Sequence, residues 1–270
     1  MSLADGATGL VGVRRVDGSA SAEGRPVGAS TPLVLLHAFP LDSRMWEAAA
    51  ALVAGGAYLV DLPGSPGHSA NLPWPASLDA SADLVAAGLA AVGVTRAVVV
   101  GLSMGGYVAL ALAQRHPGLV AGMGLVDTKS VADSPQAAAN RLARAARLEA
   151  SRTVEEVLPD VDNLLGRTTR ATRPGVRARV LGWVREQDPV GLAWCQRAMA
   201  ARPDRTEVLA ACRVPVAVVV GDEDTVTPMA QAVDMAGGAP FVVVRGAGHL
   251  SAVEDPAAVA AALADLVRRA

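Results

Sequence analysis

The sequence predicts an α/β domain with a central, mostly parallel sheet and helices on both faces. Two observations carry this. Short apolar runs recur along the 270 residues with helix-like segments between them, the alternation expected of a doubly covered sheet. The runs are continuous in Val and Leu and do not alternate with polar residues, as in strands buried on both sides.

The strands read, in order, as Leu10–Val16, Pro32–Leu36, Ala57–Asp61, Ala97–Gly101, Gly122–Asp127, Val214–Gly221 and Phe241–Arg245. Asp17–Thr31, rich in Gly, Ser and Ala, reads as a loop. Ser77–Val92 carries Leu78, Val85, Leu89 and Val92 at helical spacing, with Gly93 as its stop. Asp255-Pro256 reads as N-cap and first residue of a last helix reaching Val267. The alternation breaks between Lys129 and Arg213, where only helical stretches stand out: Pro135–Glu149, Thr153–Leu165, Val176–Glu186 and Val190–Ala200. That segment holds 14 of the 24 basic residues. It reads as a helical insertion (129–212) in an α/β frame made of 1–128 and 213–270.

Composition narrows the function classes. Half the chain is apolar, 19% is charged, and the net charge is −2, a balance that points away from nucleic acid and anionic membrane surfaces as partners. No apolar run approaches the ~20 residues of a membrane span. The apolar patch Leu10–Val13 precedes Arg14-Arg15, the reverse of a secretory signal. Cys195 and Cys212 make neither a zinc cluster nor a disulfide framework and read as reduced thiols of a cytoplasmic protein. Lys129 is the only lysine among these basic residues; with abundant Ala, Gly and Val this suggests a GC-rich bacterial gene.

Gly101-Leu102-Ser103-Met104-Gly105 lies where a strand-like run becomes helical and fits the G-x-S-x-G nucleophile elbow. A sharp strand-to-helix turn strains the nucleophile's backbone. Glycines two residues to either side let neighbouring backbone pass. The turn lifts the hydroxyl off the sheet and leaves the Met104 amide at a helix N-terminus, where an oxyanion would form. A serine at a helix start is equally a capping residue, so its company must decide. A nucleophilic serine needs a base, and the base an acid. Of four histidines, His37 ends a strand, His68 sits in a Gly/Pro loop and His116 ends a helix. Only His249, just after the last strand, lies where an open parallel sheet places its site. For the acid, "VVVGDEDTVTP" offers Asp222, Glu223 and Asp224, and Asp127 ends another strand. Asp224 is preferred, because Asp222 and Asp127 read equally well as turn residues.

The order Ser103, Asp224, His249, together with "LVLLHAFPLDSRMW", "LVDLPGSPGHS" and "GAGHLSAVEDP", resembles the α/β-hydrolase-fold serine hydrolases. The likeness runs from Pro32 onward and is closest in style to bacterial 3-oxoadipate enol-lactonases, cofactor-free haloperoxidases and esterases. It implies the α/β-hydrolase fold, with a helical cap inserted after the sixth strand of the family's count. It also implies Ser103 as nucleophile, Asp224 as acid and His249 as base, with an oxyanion hole from the Phe39 and Met104 amides and no metal or cofactor. Ala38 stands where the family usually has Gly, and Ser65-Pro66 where one residue usually separates two glycines.

The activity so implied is hydrolysis of a small carboxylic ester or lactone through an acyl-enzyme. Selectivity is expected from the insertion, with Trp46, Trp183 and Trp194 as candidate pocket residues. Arg144, Arg147, Arg197 and Arg202 are candidates to pair with a substrate carboxylate. Two rival readings remain: the same triad used for perhydrolysis or C–C bond hydrolysis, and a small-molecule receptor on this fold.

Overall fold

The structure is a computed structural model and describes residues 9–18 and 31–270. Seven strands form one sheet: β1 (Gly12–Val16), β2 (Leu33–Leu36), β3 (Ala57–Asp61), β4 (Ala97–Leu102), β5 (Val120–Val126), β6 (Val216–Gly221) and β7 (Phe241–Val244). Their spatial order is β1-β3-β2-β4-β5-β6-β7. The β1–β3 pair is antiparallel and every other pair parallel. Each strand falls on an expected run. β6 starts two residues late because Pro215 has no N–H for the ladder; its carbonyl still accepts from Met123 at 2.9 Å. Most of the expected Asp17–Thr31 loop, residues 19–30, lies outside the described residues.

The apolar runs are continuous because successive side chains serve two cores. Leu35, Val98 and Val100 pack in one layer, while Val34, Leu36 and Val99 pack in the other. The helices are α1 (Glu47–Leu52), α2 (Leu78–Ala91), α3 (Met104–Arg115), α4 (Pro135–Ser151), α5 (Val161–Leu164), α6 (Arg167–Thr172), α7 (Pro174–Arg185), α8 (Pro189–Ala200), α9 (Thr206–Ala210), α10 (Met229–Ala236), α11 (Ser251–Glu254) and α12 (Pro256–Arg269). α1 and α12 cover the first layer, whereas α2, α3 and α10 cover the second. Ser77 caps α2 by accepting from the Asp79 amide at 3.1 Å. Ser134-Pro135, Asp188-Pro189 and Asp255-Pro256 each combine a capping side chain with proline in the first turn.

Between β5 and β6 the described chain is helical, with α4 packed along α8. Counted along this chain, the insertion follows the fifth strand; the expected sixth belonged to the family's count. The single helix expected over Thr153–Leu165 breaks into two 3-10 turns and α5, because Pro159 removes a donor. α6 is largely polar and α9 is only five residues long, so no apolar period announced them. The carboxyl ends of β4, β6 and β7 all face one edge of the sheet, and the segments carrying Ser103, Asp224 and His249 follow them there.

Candidate active site

Ser103 follows β4 directly, with φ 53° and ψ −112°, a region that L-residues avoid. The flanking glycines are required by contact. A Cβ on Gly101 would lie 2.1 Å from the carbonyl carbon of Gly105, and one on Gly105 would lie 2.2 Å from Leu36 O. The strained turn is held at both ends. The Ser103 amide donates to Val126 O at 3.0 Å, and the Thr128 hydroxyl donates to Ser103 O at 2.8 Å.

His249 lies in the loop after β7 and is 1% exposed. Its Nε2 is 2.9 Å from Ser103 Oγ and its Nδ1 is 2.9 Å from Asp224 Oδ2. An ionised carboxylate only accepts, so Nδ1 carries the proton, and Nε2 is free to accept from the serine hydroxyl. Burial opposes charge on His249, but the Asp224 carboxylate outweighs it, and the imidazole pKa lies above its ordinary value. Burial would likewise raise Asp224. Its pairing with His249 and its hydrogen bonds with Thr227 outweigh that and hold it below the usual carboxylate range. Asp224 Oδ1 accepts from the amides of Val226 (2.8 Å) and Thr227 (3.0 Å), and Oδ2 from the Thr227 hydroxyl (2.7 Å).

The other candidate acids are engaged elsewhere. Asp222 accepts from the Gly246 amide at 2.7 Å, and Glu223 from the amide and hydroxyl of Thr168. Asp127 is fully buried, its two oxygens taking the amides of Gly221 (2.9 Å) and Ser251 (3.0 Å). Burial and the nearby Asp224 charge push its pKa up to about 7.

Met104 opens α3, so its amide has no acceptor within the helix. The N-terminus of α3 abuts the end of β2, since a Cβ on Gly105 would touch both Leu36 O and His37 O. The Ala38–Phe39 loop leaves β2 at that point. Ala38 has no positive φ, so it takes the place of the family's Gly without strain. His37 is structural: its Nε2 accepts from the Leu62 amide at 3.0 Å and meets Ser65 Oγ at 2.9 Å. The lengthened Ser65-Pro66 loop is thus tied to β2.

Ser103 and His249 open on a cavity of about 240 Å³, whose walls include Phe39, Tyr107, Leu164, Val226 and Thr227 and, from the insertion side, Lys129, Arg141, Arg144 and Asp160. The three tryptophans expected in a pocket do not line it. Trp46 is fully buried in the core beneath α1. Trp183 packs beside that core with Arg179 over its ring, and Trp194 donates its indole N–H to Pro73 O at 2.8 Å. Their apolar bulk is used in packing the insertion and core. Of the four arginines singled out, only Arg144 reaches the cavity, paired with Asp160. Arg147 and Arg197 pair with Glu156 and Glu149, and Arg202 is buried against Tyr107 and Asp133.

Sequence reasoning missed Thr227, Glu254, Lys129 and Arg141. Glu254 is 1% exposed and accepts amides from Gly166, Gly248 and Leu250, joining the insertion to the histidine loop. Nothing local in "SAVEDP" signals this. Among the described residues no group of three His, Cys, Asp or Glu side chains could hold a metal ion, and no helix is long and apolar enough to cross a membrane.

A model of the alpha/beta hydrolase family matches residues 33–262. The chain belongs to the alpha/beta hydrolase family. Among its relatives is a 2-succinyl-6-hydroxy-2,4-cyclohexadiene-1-carboxylate synthase from Enterobacter sp. (strain 638), 32% identical over 87% of this chain and 91% of that protein. A thermophilic esterase from Thermogutta terrifontis superposes with a TM-score of 0.83 at 31% identity, over 96% of this chain and 93% of the other. The enol-lactonase from Burkholderia xenovorans LB400 gives 0.79 at 25% identity, over 96% of each chain. This alpha/beta hydrolase is therefore an enzyme of hydrolase type, and strands β2 to β7 and the Ser103 turn lie inside the matched region.

Proposed function

We propose that this hydrolase cleaves a small carboxylic ester or lactone through an acyl-enzyme on Ser103. The observation that carries the reading is His249, 2.9 Å from both Ser103 Oγ and Asp224 Oδ2 at the wall of a cavity. His249 Nε2 takes the hydroxyl proton as Ser103 Oγ bonds to the substrate's carbonyl carbon, and Asp224 stabilises the resulting imidazolium. The oxyanion is held by the Phe39 and Met104 amides, each worth ~3–4 kcal/mol at comparable sites. His249 then gives its proton to the leaving oxygen. Water, deprotonated by the same histidine, releases the acid and regenerates Ser103.

Relatives named as an esterase and an enol-lactonase support an ester or lactone as the bond cleaved. Residues 129–212 act as the cap, supplying one wall of the cavity from α4, α5 and α8. The unpaired Cys195 and Cys212 suit a reducing compartment, and we place the enzyme in the cytoplasm.

The test compares wild type with Ser103→Ala and His249→Ala for labelling by a fluorophosphonate and for turnover of p-nitrophenyl acetate and butyrate. Labelling at Ser103 with multiple turnovers, both lost in the variants, is the expected result. Equal behaviour of all three proteins would remove the assignment. Product formed only when peroxide is added would redirect it to perhydrolysis.

A further inference from the structure

The charges on the insertion side of the cavity do not balance. Arg144 is matched by Asp160. Lys129, Arg141 and Arg202, by contrast, converge on the single carboxylate of Asp133, whose side chain is 2% exposed. Arg141 Nε reaches it at 2.6 Å, Arg202 at 2.8 Å, and Lys129 Nζ at 3.4 Å. Asp204, which Arg202 also attracts, accepts from the Ala132 and Thr206 amides at the surface. One buried anion among three cations leaves positive charge uncompensated, and Lys129 and Arg141 carry it to the cavity wall.

Their hydrogen bonds are also incomplete. Lys129 has three donors and one ionic neighbour, at the long distance above. Arg141 Nη1 donates to Gln196 Oε1 at 3.2 Å and meets Met199 Sδ at 3.4 Å. Its Nη2 has no acceptor among the described residues. Burial lowers the Lys129 pKa, and the neighbouring Arg202 and Arg141 lower it further despite Asp133.

We propose that Lys129 and Arg141, oriented by Asp133, form a carboxylate subsite, and that the substrate is a small ester or lactone whose acyl part bears a second, free carboxylate. This rests on the Ser103 reading above. The guanidinium fork and the ammonium supply charge-assisted donors to one carboxylate. Phe39, Leu164 and Val226 in the same cavity supply apolar wall for a short hydrocarbon link. At about 240 Å³ the cavity lies below the ~300–1,000 Å³ typical of drug-sized ligands, so the acid is short. Binding would bring the anion beside cations already partly buried and held by Asp133, which is why the subsite selects and does not merely attract.

The test pairs mono-p-nitrophenyl glutarate with uncharged p-nitrophenyl valerate. The wild type is expected to favour the glutarate by about tenfold or more in kcat/KM, the scale of one charge-assisted hydrogen bond. In Lys129→Gln and Arg141→Lys that ratio falls toward one, through KM more than kcat. A second readout needs no turnover. Lys129 is the only lysine, so its modification by trinitrobenzenesulfonate can be followed by peptide mapping in the Ser103→Ala protein. Glutarate is expected to slow it, and glutaramide is not. Equal hydrolysis of the two esters with no protection of Lys129 would overturn the subsite. Protection without cleavage of either ester, and without fluorophosphonate labelling, would remove the hydrolytic reading and leave the subsite standing.

Discussion

The hydroxyl of Thr227 lies 2.7 Å from Asp224 Oδ2, the oxygen that also meets His249 Nδ1. The same hydroxyl is 3.2 Å from that ring nitrogen. Thr227 therefore fixes which way the carboxylate presents its lone pairs to the imidazole. In the proposed mechanism it is a positioning residue. Thr227→Val keeps the volume and removes the donor, and is expected to lower kcat by about tenfold, the scale of one hydrogen bond to a charged group. KM should change little, and Thr227→Ser should recover most of the loss. Equal kcat for Val and Ser would show that only the side chain's bulk matters.

In the proposed mechanism the His249 imidazole must be neutral to accept the serine proton. Burial pushes its pKa down, but the Asp224 carboxylate outweighs this, so the pKa lies above the ordinary ~6.5. The rate of fluorophosphonate labelling should thus rise with pH through a midpoint above 6.5. In Asp224→Asn the raising charge is gone, and the midpoint should move to lower pH while the maximal rate drops by about 10⁴. An unchanged midpoint would mean that some other group controls this limb.

Asp127 offers a stability test separate from catalysis. Its folded pKa is raised from 3.8 to about 7, by burial first and by the Asp224 charge second. The folded state therefore holds the proton more tightly than the unfolded state. The stability so gained is full below about 3.8 and is lost as pH rises through about 7. Urea unfolding of wild type and Asp127→Asn at pH 5 and pH 8 should show the wild type losing more stability across the interval. A difference between the two proteins that is the same at both pH values would reject the linkage.

The sheet was legible because seven apolar runs face two cores, and the elbow because a strand, a tight glycine-flanked turn and a helix must follow one another in sequence. The choice of Asp224 over Asp127 was an inference from turn residues. What separates the two acids in space is that Gly221 and Ser251 occupy the Asp127 oxygens, a contact across 94 and 124 residues that no local pattern carries. The tryptophans misled for a related reason. A large apolar residue on a short helix fits a pocket wall and a packing face equally well, and Trp194 is settled in packing by its bond to Pro73, 121 residues away. Lys129 stood out only as a count, since its meaning depends on Arg141 and Arg202 arriving at the same Asp133.

The backbone of Ser103 makes a prediction that no contact would suggest. At φ 53° and ψ −112° a residue with a Cβ is strained by ~1–3 kcal/mol, a cost that persists only where the surroundings enforce it. Here the enforcing contacts are the Val126 and Thr128 hydrogen bonds and the close packing of Gly101 on Gly105. Ser103→Ala deletes the hydroxyl but keeps the strain. Ser103→Gly deletes both, at a cost of ~0.5–1 kcal/mol from the greater freedom of glycine in the unfolded chain. Both variants should be inactive, and the glycine variant should be the more stable by about 1 kcal/mol, read as a higher urea midpoint with an unchanged slope. If alanine proves equal or better, the turn holds Ser103 without strain, and the positive φ is not what the fold sustains for the sake of the nucleophile.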